Sequence, residues 1–434
     1  MGQGNKNWKV GAVVAGILML GAVSVVYSYS KPLMASNNSV VVSANKLKAV
    51  APDEYKPLQV VKSEKTDRIE GLNNMIGLVG DNQAIVQIGL SRKDIEEKIK
   101  KLDKENTNEE EELKFSKEVT GGTYKLNLST FEKSPSNLEY GARISPDKTK
   151  YIYDTKDIYD TKENGENCYY IVDIKSNSKK KINTKGNILL DWSVNSKYII
   201  GLTFAKSPSI VVYDVENDKL KEFKEGNQRI NQLAGVYSNN GKDVYFVGIT
   251  NVKNNEKTII TEGIYKLSTD DGKVQPVMVL PSAEAMLHKN RIGNHSFAVI
   301  NDGQMIVFEG NINGENGLFI YDVNSKKTNK FAQSLGRHIV PFWISPDENK
   351  IVYATYSGED DKGVWSIYAA KFNGNEIVNK ILLLKDIDYY NMYNGNKVFW
   401  SNDSNKVTIF ESKNFNLAGR IFAENGSIHS IDLK

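Results

Sequence analysis

The ten residues Ile344–Tyr353, ISPDENKIVY, parse as the end of one strand, a tight turn and the start of the next. Ile344 closes an apolar run, Pro346 presets φ for a turn and Asp347 can accept hydrogen bonds from turn amides. Ile351 and Tyr353 then point to one face. The same grammar returns as ISPDKTKYIY (Ile144–Tyr153), WSVNSKYII (Trp192–Ile200), YSNNGKDVYF (Tyr237–Phe246), INDGQMIVF (Ile300–Phe308) and WSNDSNKVTIF (Trp400–Phe410), with a worn copy at Leu78–Ile88. The period, about 45 to 65 residues, is too long for a hairpin and suits a four-stranded propeller blade.

Each hairpin is followed by a variable loop and a third strand, for example YYIVD (Tyr169–Asp173), IVVYD (Ile210–Asp214) and LFIYD (Leu318–Asp322). A polar turn and a fourth strand follow, Lys-rich in VNSKKTNKF (Val323–Phe331), as suits an outer edge that must not pair with other chains. The expected fold is all-β, a propeller of four-stranded antiparallel blades over residues 67–434. Seven units fit best, and six or eight also fit the drifting copies. The last unit, from Lys397, is expected to supply its own four strands, KVFW, KVTIFES, GRIF and SIHSIDL.

The first blade begins near Asn74 and carries a charged insertion, residues 91–119. Ile95, Ile99 and Leu102 there fall at helical spacing, which predicts a short amphipathic helix followed by a flexible acidic run, Glu109–Glu112. Residues 31–66 read as a stalk, although Leu58–Val61 could add to a sheet edge, because a ring often closes by pairing its termini.

At the N-terminus, Lys6 and Lys9 precede an apolar run, Val10–Tyr27, about long enough for a membrane span. Residues 1–30 are thus expected to be a signal anchor or transmembrane helix, which places the propeller outside the cytoplasm at the cell membrane, or secreted if the leader is cleaved. The 56 basic and 53 acidic residues leave a formal charge of +3, so no global field argues for nucleic acid. A single cysteine, Cys168, excludes an intrachain disulfide and a cysteine-rich zinc site.

The Ser-Pro-Asp hairpins at Ser145–Asp147 and Ser345–Asp347, each followed by a Lys-led strand, resemble the repeats of TolB-like propellers and of the propeller that precedes the hydrolase domain in dipeptidyl-peptidase relatives. The resemblance covers about Asn74 to the end. It implies the fold, and it implies no single activity, since unrelated functions share this repeat.

The hydrolase domain of the peptidase relatives, with its Gly-x-Ser-x-Gly elbow, is absent from the sequence. Four histidines, His288, His295, His338 and His429, show no paired ligand spacing, so no metal and no cofactor are expected. The sequence therefore points to a non-catalytic scaffold that binds a protein, peptide or cell-envelope glycan. One face of the disc carries short turns and the other the long connections Ser91–Val119, Asp154–Asn167, Ile249–Glu262, Ser357–Gly363, Leu280–Gly293 and Lys385–Asn396. On the elaborated face, Arg337, His338, Tyr389, Tyr390 and Tyr393 are candidate binding residues, since Tyr and Arg dominate binding hot spots. The alternative is an enzyme, a hydrolase or lyase, that draws on first-strand residues of the central funnel such as Arg143 and Asp191.

Overall fold

Each hairpin and the two strands after it form one antiparallel sheet, and seven such sheets make up the propeller. The structure, a computed structural model, describes residues 57–434 except 67, 81, 103–108, 140, 156–167, 183, 185–187, 204–207, 225–228, 231–235, 255–256, 281–282, 285–290, 334–339, 360–362, 375, 389–396 and 418–419. From the centre outwards, blade 1 contains Leu72–Leu78, Gln83–Ile88, Gly122–Asn127 and Lys133–Pro135. Blade 2 contains Arg143–Ile144, Lys150–Thr155, Cys168–Asp173 and Lys179–Ile182, and blade 3 Ile188–Trp192, Tyr198–Leu202, Ser209–Asp214 and Lys219–Lys224. Blade 4 is built on the long pair Asp243–Asn254 and Lys257–Ser268, and blade 5 on Met305–Ile312 and Glu315–Asp322. Blade 6 contains Phe342–Ile344, Lys350–Ser357, Val364–Asn373 and Glu376–Asp388.

The Ser-x-Asp turn explains why the repeat is visible in sequence. Ser345 Oγ lies 2.5 Å from Asp347 Oδ1 and accepts from the Lys350 amide at 2.9 Å, so one buried hydroxyl holds both sides of the turn. Ser145 with Asp147, Ser193 with Asn195 and Ser401 with Asp403 repeat the arrangement at 2.6, 2.7 and 2.5 Å. Each turn also needs one left-handed residue: Lys148, Ser196, Glu348 and Ser404 have φ between 58 and 61°. These turns are laced from blade to blade. The Asp147 amide donates to Ser196 Oγ and the Asp347 amide to Ser404 Oγ, each at 2.9 Å.

Side chains alternate across each sheet, so every blade presents apolar residues to both neighbours. Between blades 6 and 7, Trp343, Val352, Trp365 and Ile367 pack with Val398, Trp400, Val407 and Ile431, all essentially buried. Burying a large apolar side chain is worth roughly 1.5–3 kcal/mol, so these shared layers, rather than any single sheet, carry the stability.

Ring closure departs from the sequence expectation. GRIF and SIHSIDL are one strand, Arg420–Leu433, and blade 7 has only three strands of its own, Val398–Trp400, Lys406–Leu417 and Arg420–Leu433. Its fourth, outermost strand is Val60–Lys65, which pairs antiparallel with Arg420–Leu433 in the register Val60↔Leu433 and Lys65↔His429. Leu58, 2% exposed, plugs into the layer between blades 6 and 7, and Thr66 exchanges two hydrogen bonds with Ile428. The edge pairing expected for Leu58–Val61 is thus present and longer, and residues 60–66 belong to the propeller rather than to a stalk. Glu424-Asn425-Gly426-Ser427 reads as a turn but runs straight through. Gly426 is there because a Cβ would stand 2.6 Å from Phe410 Cε2 and 2.8 Å from the Leu72 carbonyl oxygen.

The insertion of blade 1 is a helical hairpin, α1 (Arg92–Leu102) and α2 (Glu109–Thr120). The acidic run expected to be flexible opens α2, where carboxylates favour the positive end of the helix dipole. Ile95, Ile99 and Phe115 pack on Phe422 and Phe415 of blade 7, with Arg92 bridging to Glu424 at 3.5 Å and Arg420 to Glu112 at 3.6 Å. The hairpin therefore clamps the seam where the ring closes.

The apolar run Val10–Tyr27 lies outside the described residues. Among the described residues, no helix is long and apolar enough to cross a membrane.

Candidate functional site

Antiparallel alternation puts the first-to-second and third-to-fourth turns on one face of the disc and the second-to-third connections on the other. The first face is plain and laced. The second carries three projections: α1–α2 from blade 1, the blade 4 pair, and the blade 7 pair that runs to Leu417 and returns from Arg420. The stretch Ile249–Glu262, expected to be a loop, is a continuous ladder that reaches Asn254↔Lys257. Its β-branched residues, Thr250, Val252, Thr258, Ile259 and Ile260, favour extension, and Ala283–Glu284 adds to its edge. Arg337, His338, Tyr389, Tyr390 and Tyr393 lie outside the described residues.

Arg143 and Asp191 are brought together. In blades 2, 3, 6 and 7 the first strand has one register, with Ile144↔Tyr151, Trp192↔Ile199, Ile344↔Ile351 and Trp400↔Val407. The residues one step before these are Arg143, Asp191, Trp343 and Phe399. Two are buried aromatics, and the two charged ones sit in adjacent blades. The Trp192 indole N–H donates to the Arg143 carbonyl at 2.9 Å, which fixes one strand against the other.

Asp191 is enclosed by protein yet retains some solvent contact, as expected for a group on the wall of a narrow channel. Burial pushes its carboxyl up to about 6, against the opposing pull of the Arg143 charge and of the Trp192 amide, which donates to Oδ1 at 2.7 Å. Such a group changes charge in the mildly acidic range, so it can accept a cationic or hydroxyl ligand or hold a proton.

A second polar group of the inner ring, Lys397, was not singled out from the sequence. It precedes the first strand of blade 7, directly across from Phe410, whose amide donates to its carbonyl at 2.8 Å. The side chain is 3% exposed, and Nζ lies 4.4 Å from the Phe410 ring centroid. Burial alone pushes the amine down to about 7, and among the described residues no carboxylate pairs with it. A cation–π contact is worth about 0.5–2 kcal/mol, less than the several kcal/mol that burial of an unpaired charge costs, so desolvation wins. The signal available in sequence was a lysine opening an apolar inner strand, Lys397-Val398-Phe399-Trp400.

In blade 7, the Glu411 carboxylate meets His429 Nε2 at 2.8 Å and Lys65 Nζ at 3.2 Å, which ties the closing strand to the sheet. Among the described residues, no group of three or more His, Cys, Asp or Glu is placed to hold a metal.

No protein-family model matches the chain, and no curated protein matches it. Solved structures do resemble it. An oligogalacturonate lyase in complex with manganese is 11% identical, with 72% of this chain and 83% of that chain covered and a TM-score of 0.45. The β-propeller domain of the Trilobed protease from Pyrococcus furiosus, described as having an open velcro topology, is 14% identical over 82% and 98% of the two chains, with a TM-score of 0.44. A putative TolB from Agrobacterium tumefaciens is 14% identical over 63% and 89%, with a TM-score of 0.36. At these identities the likeness concerns fold alone. The seven sheets themselves make the chain a seven-bladed β-propeller, and a TolB and a protease propeller are among its structural neighbours.

Proposed function

We propose that the protein is a non-catalytic binding scaffold, tethered to the membrane by Val10–Tyr27, that holds a protein, peptide or cell-envelope component on its built-up face outside the cytoplasm. The observation that carries this reading is the asymmetry of the disc. One face is short turns laced to one another, whereas the other projects a helical hairpin and two long strand pairs. A rigid ring with elaborated connections on one side is how recognition surfaces are commonly mounted. The test is capture from native envelope by the full chain. Replacing Tyr389, Tyr390 and Tyr393 together with alanine is expected to abolish capture while the far-UV spectrum is retained. Undiminished capture by a folded triple variant overturns the assignment to this face.

A second reading is favoured by one observation, the half-open carboxyl of Asp191 beside Arg143. It makes the central funnel the site of a hydrolase or lyase. Turnover of envelope glycans or peptides, lost in Asp191→Asn, would support it over simple retention.

A further inference from the structure

Two polar groups on one sheet face have no hydrogen-bonding or ionic partner among the described residues. Lys397 is the first, with only the Phe410 ring against its amine. The second is Thr408, fully buried, whose hydroxyl has no hydrogen-bond partner. Both belong to blade 7 and to the face turned towards blade 1. Phe410 and Phe399 pack there with Leu72, Met75 and Ile428, and Thr408 lies two residues from Phe410 and directly opposite Phe399. Lys397 and Thr408 are therefore diagonal neighbours on adjacent strands, a spacing a lysine side chain spans.

A buried hydroxyl without a partner is uncommon in a folded protein, and one beside a nearly buried amine calls for a reason. Among the described residues no charged side chain faces this amine: the elements packed on this face contribute Phe410, Phe399, Leu72, Met75 and Ile428, with Thr408 the polar neighbour. Glu411 and His429, one step along their strands, belong to the opposite face with Ile409. The nearby Glu424 is engaged by Lys413 and Arg92.

We propose that Lys397 and Thr408 form a covalent carbonyl-binding site at the seam between blades 7 and 1, which takes a small neutral aldehyde as an imine on Lys397. The Nζ lone pair attacks the carbonyl carbon, the C=O π pair moves to oxygen, and the proton released from nitrogen passes to that oxygen to give a carbinolamine. Thr408 Oγ1 donates a hydrogen bond to this oxygen as its charge grows. Loss of water then yields the imine, with no change of oxidation state, and hydrolysis reverses it. An amine titrating near neutrality is nucleophilic where exposed lysines are protonated. The apolar walls, with no second cation, select a neutral carbonyl compound over a keto acid.

The full chain is treated at pH 7 with limiting formaldehyde and cyanoborohydride, and modified lysines are mapped by mass spectrometry. Lys397 is expected to be modified at least tenfold faster than the exposed Lys273 and Lys385, with a pH midpoint near 7. Thr408→Val, which replaces the unpaired hydroxyl by a methyl group, is expected to fold normally and to slow modification of Lys397 about fivefold, the equivalent of one hydrogen bond. Glyoxylate is expected to be trapped far more slowly than formaldehyde. Failure of Lys397 to react in the folded chain, or a rate no greater than that of the surface lysines, overturns the site. An unchanged rate in Thr408→Val removes the threonine from it, and equal trapping of glyoxylate overturns the neutral class of ligand. Because none of these readouts involves envelope capture, they stand or fall separately from the scaffold reading.

Discussion

The indole N–H of Trp192 donates to the backbone carbonyl of Arg143 at 2.9 Å, and Trp400 repeats the bond to Trp343 at 3.2 Å. A first-strand tryptophan thus links its own blade to the one before it, in addition to filling the layer between them. Trp192→Phe keeps most of the apolar volume and loses the bond, so it is expected to cost about 1 kcal/mol, whereas Trp192→Ala should cost about 3–5 kcal/mol by opening a cavity. Denaturant titration reads both. Equal losses for the two variants would show that the hydrogen bond, not the packing, dominates.

Ser345 serves its turn with a hydroxyl that is fully buried. Ser345→Ala strands the Lys350 amide and removes one hydrogen bond from the Asp347 carboxylate, which keeps the Asn349 amide and Lys350 Nζ, and is expected to destabilise by about 1–3 kcal/mol. The same change at the exposed Ser325 should stay within about 0.5 kcal/mol. A loss at Ser345 no larger than that at Ser325 would mean that the repeat is not specified by this hydroxyl.

Asp191 predicts a pH dependence of definite sign. Its carboxyl is raised to about 6, first by burial, so the folded state prefers the protonated form. Stability is then lost as pH rises from the ordinary carboxylate range, about 4, through about 6, by on the order of 1–3 kcal/mol. Asp191→Asn removes this loss. The variant is expected to gain on the parent between pH 4 and 7.5 in thermal unfolding, and a gap that stays constant over that range would refute the prediction.

Glu411 has the opposite sign. The His429 hydrogen bond, aided by Lys65, holds its carboxyl down at about 2 against the cost of burial. Its contribution is complete above the usual glutamate range, about 4.3, and is lost as pH falls from there through about 2. Glu411→Gln is expected to flatten acid unfolding in that window and to expose Val60–Lys65 to proteolysis first. Cleavage elsewhere at the same rate would argue against a role in closure.

The turns were legible in sequence because their chemistry is local: Ser345, Asp347 and Lys350 lie within six positions and specify their own geometry. The register of the first strands follows from those turns, so Arg143 and Asp191 could be placed together from the repeat alone. What escaped depends on distant partners. Asn425-Gly426 carries a turn signature, but the glycine answers to Phe410 and Leu72, contacts that no window around it contains. The acidic start of α2 reads as solvated until Phe115 is seen against Phe422. Lys397 looks like an ordinary surface lysine, because the absence of a carboxylate partner is a property of the folded seam.

The bond between Thr66 and Ile428 joins residues 362 apart in the chain. On the ribosome, six blades can collect their strands in order as they emerge, while the outer strand of the seventh, made first, waits unpaired until Arg420–Leu433 has been synthesised. During that interval the nascent chain carries an open edge in blade 7 and an uncovered apolar flank on blade 1. The stage of biogenesis that most needs a chaperone is therefore the last, and a stall within the final strand should release a polypeptide that is largely folded and prone to associate through that gap.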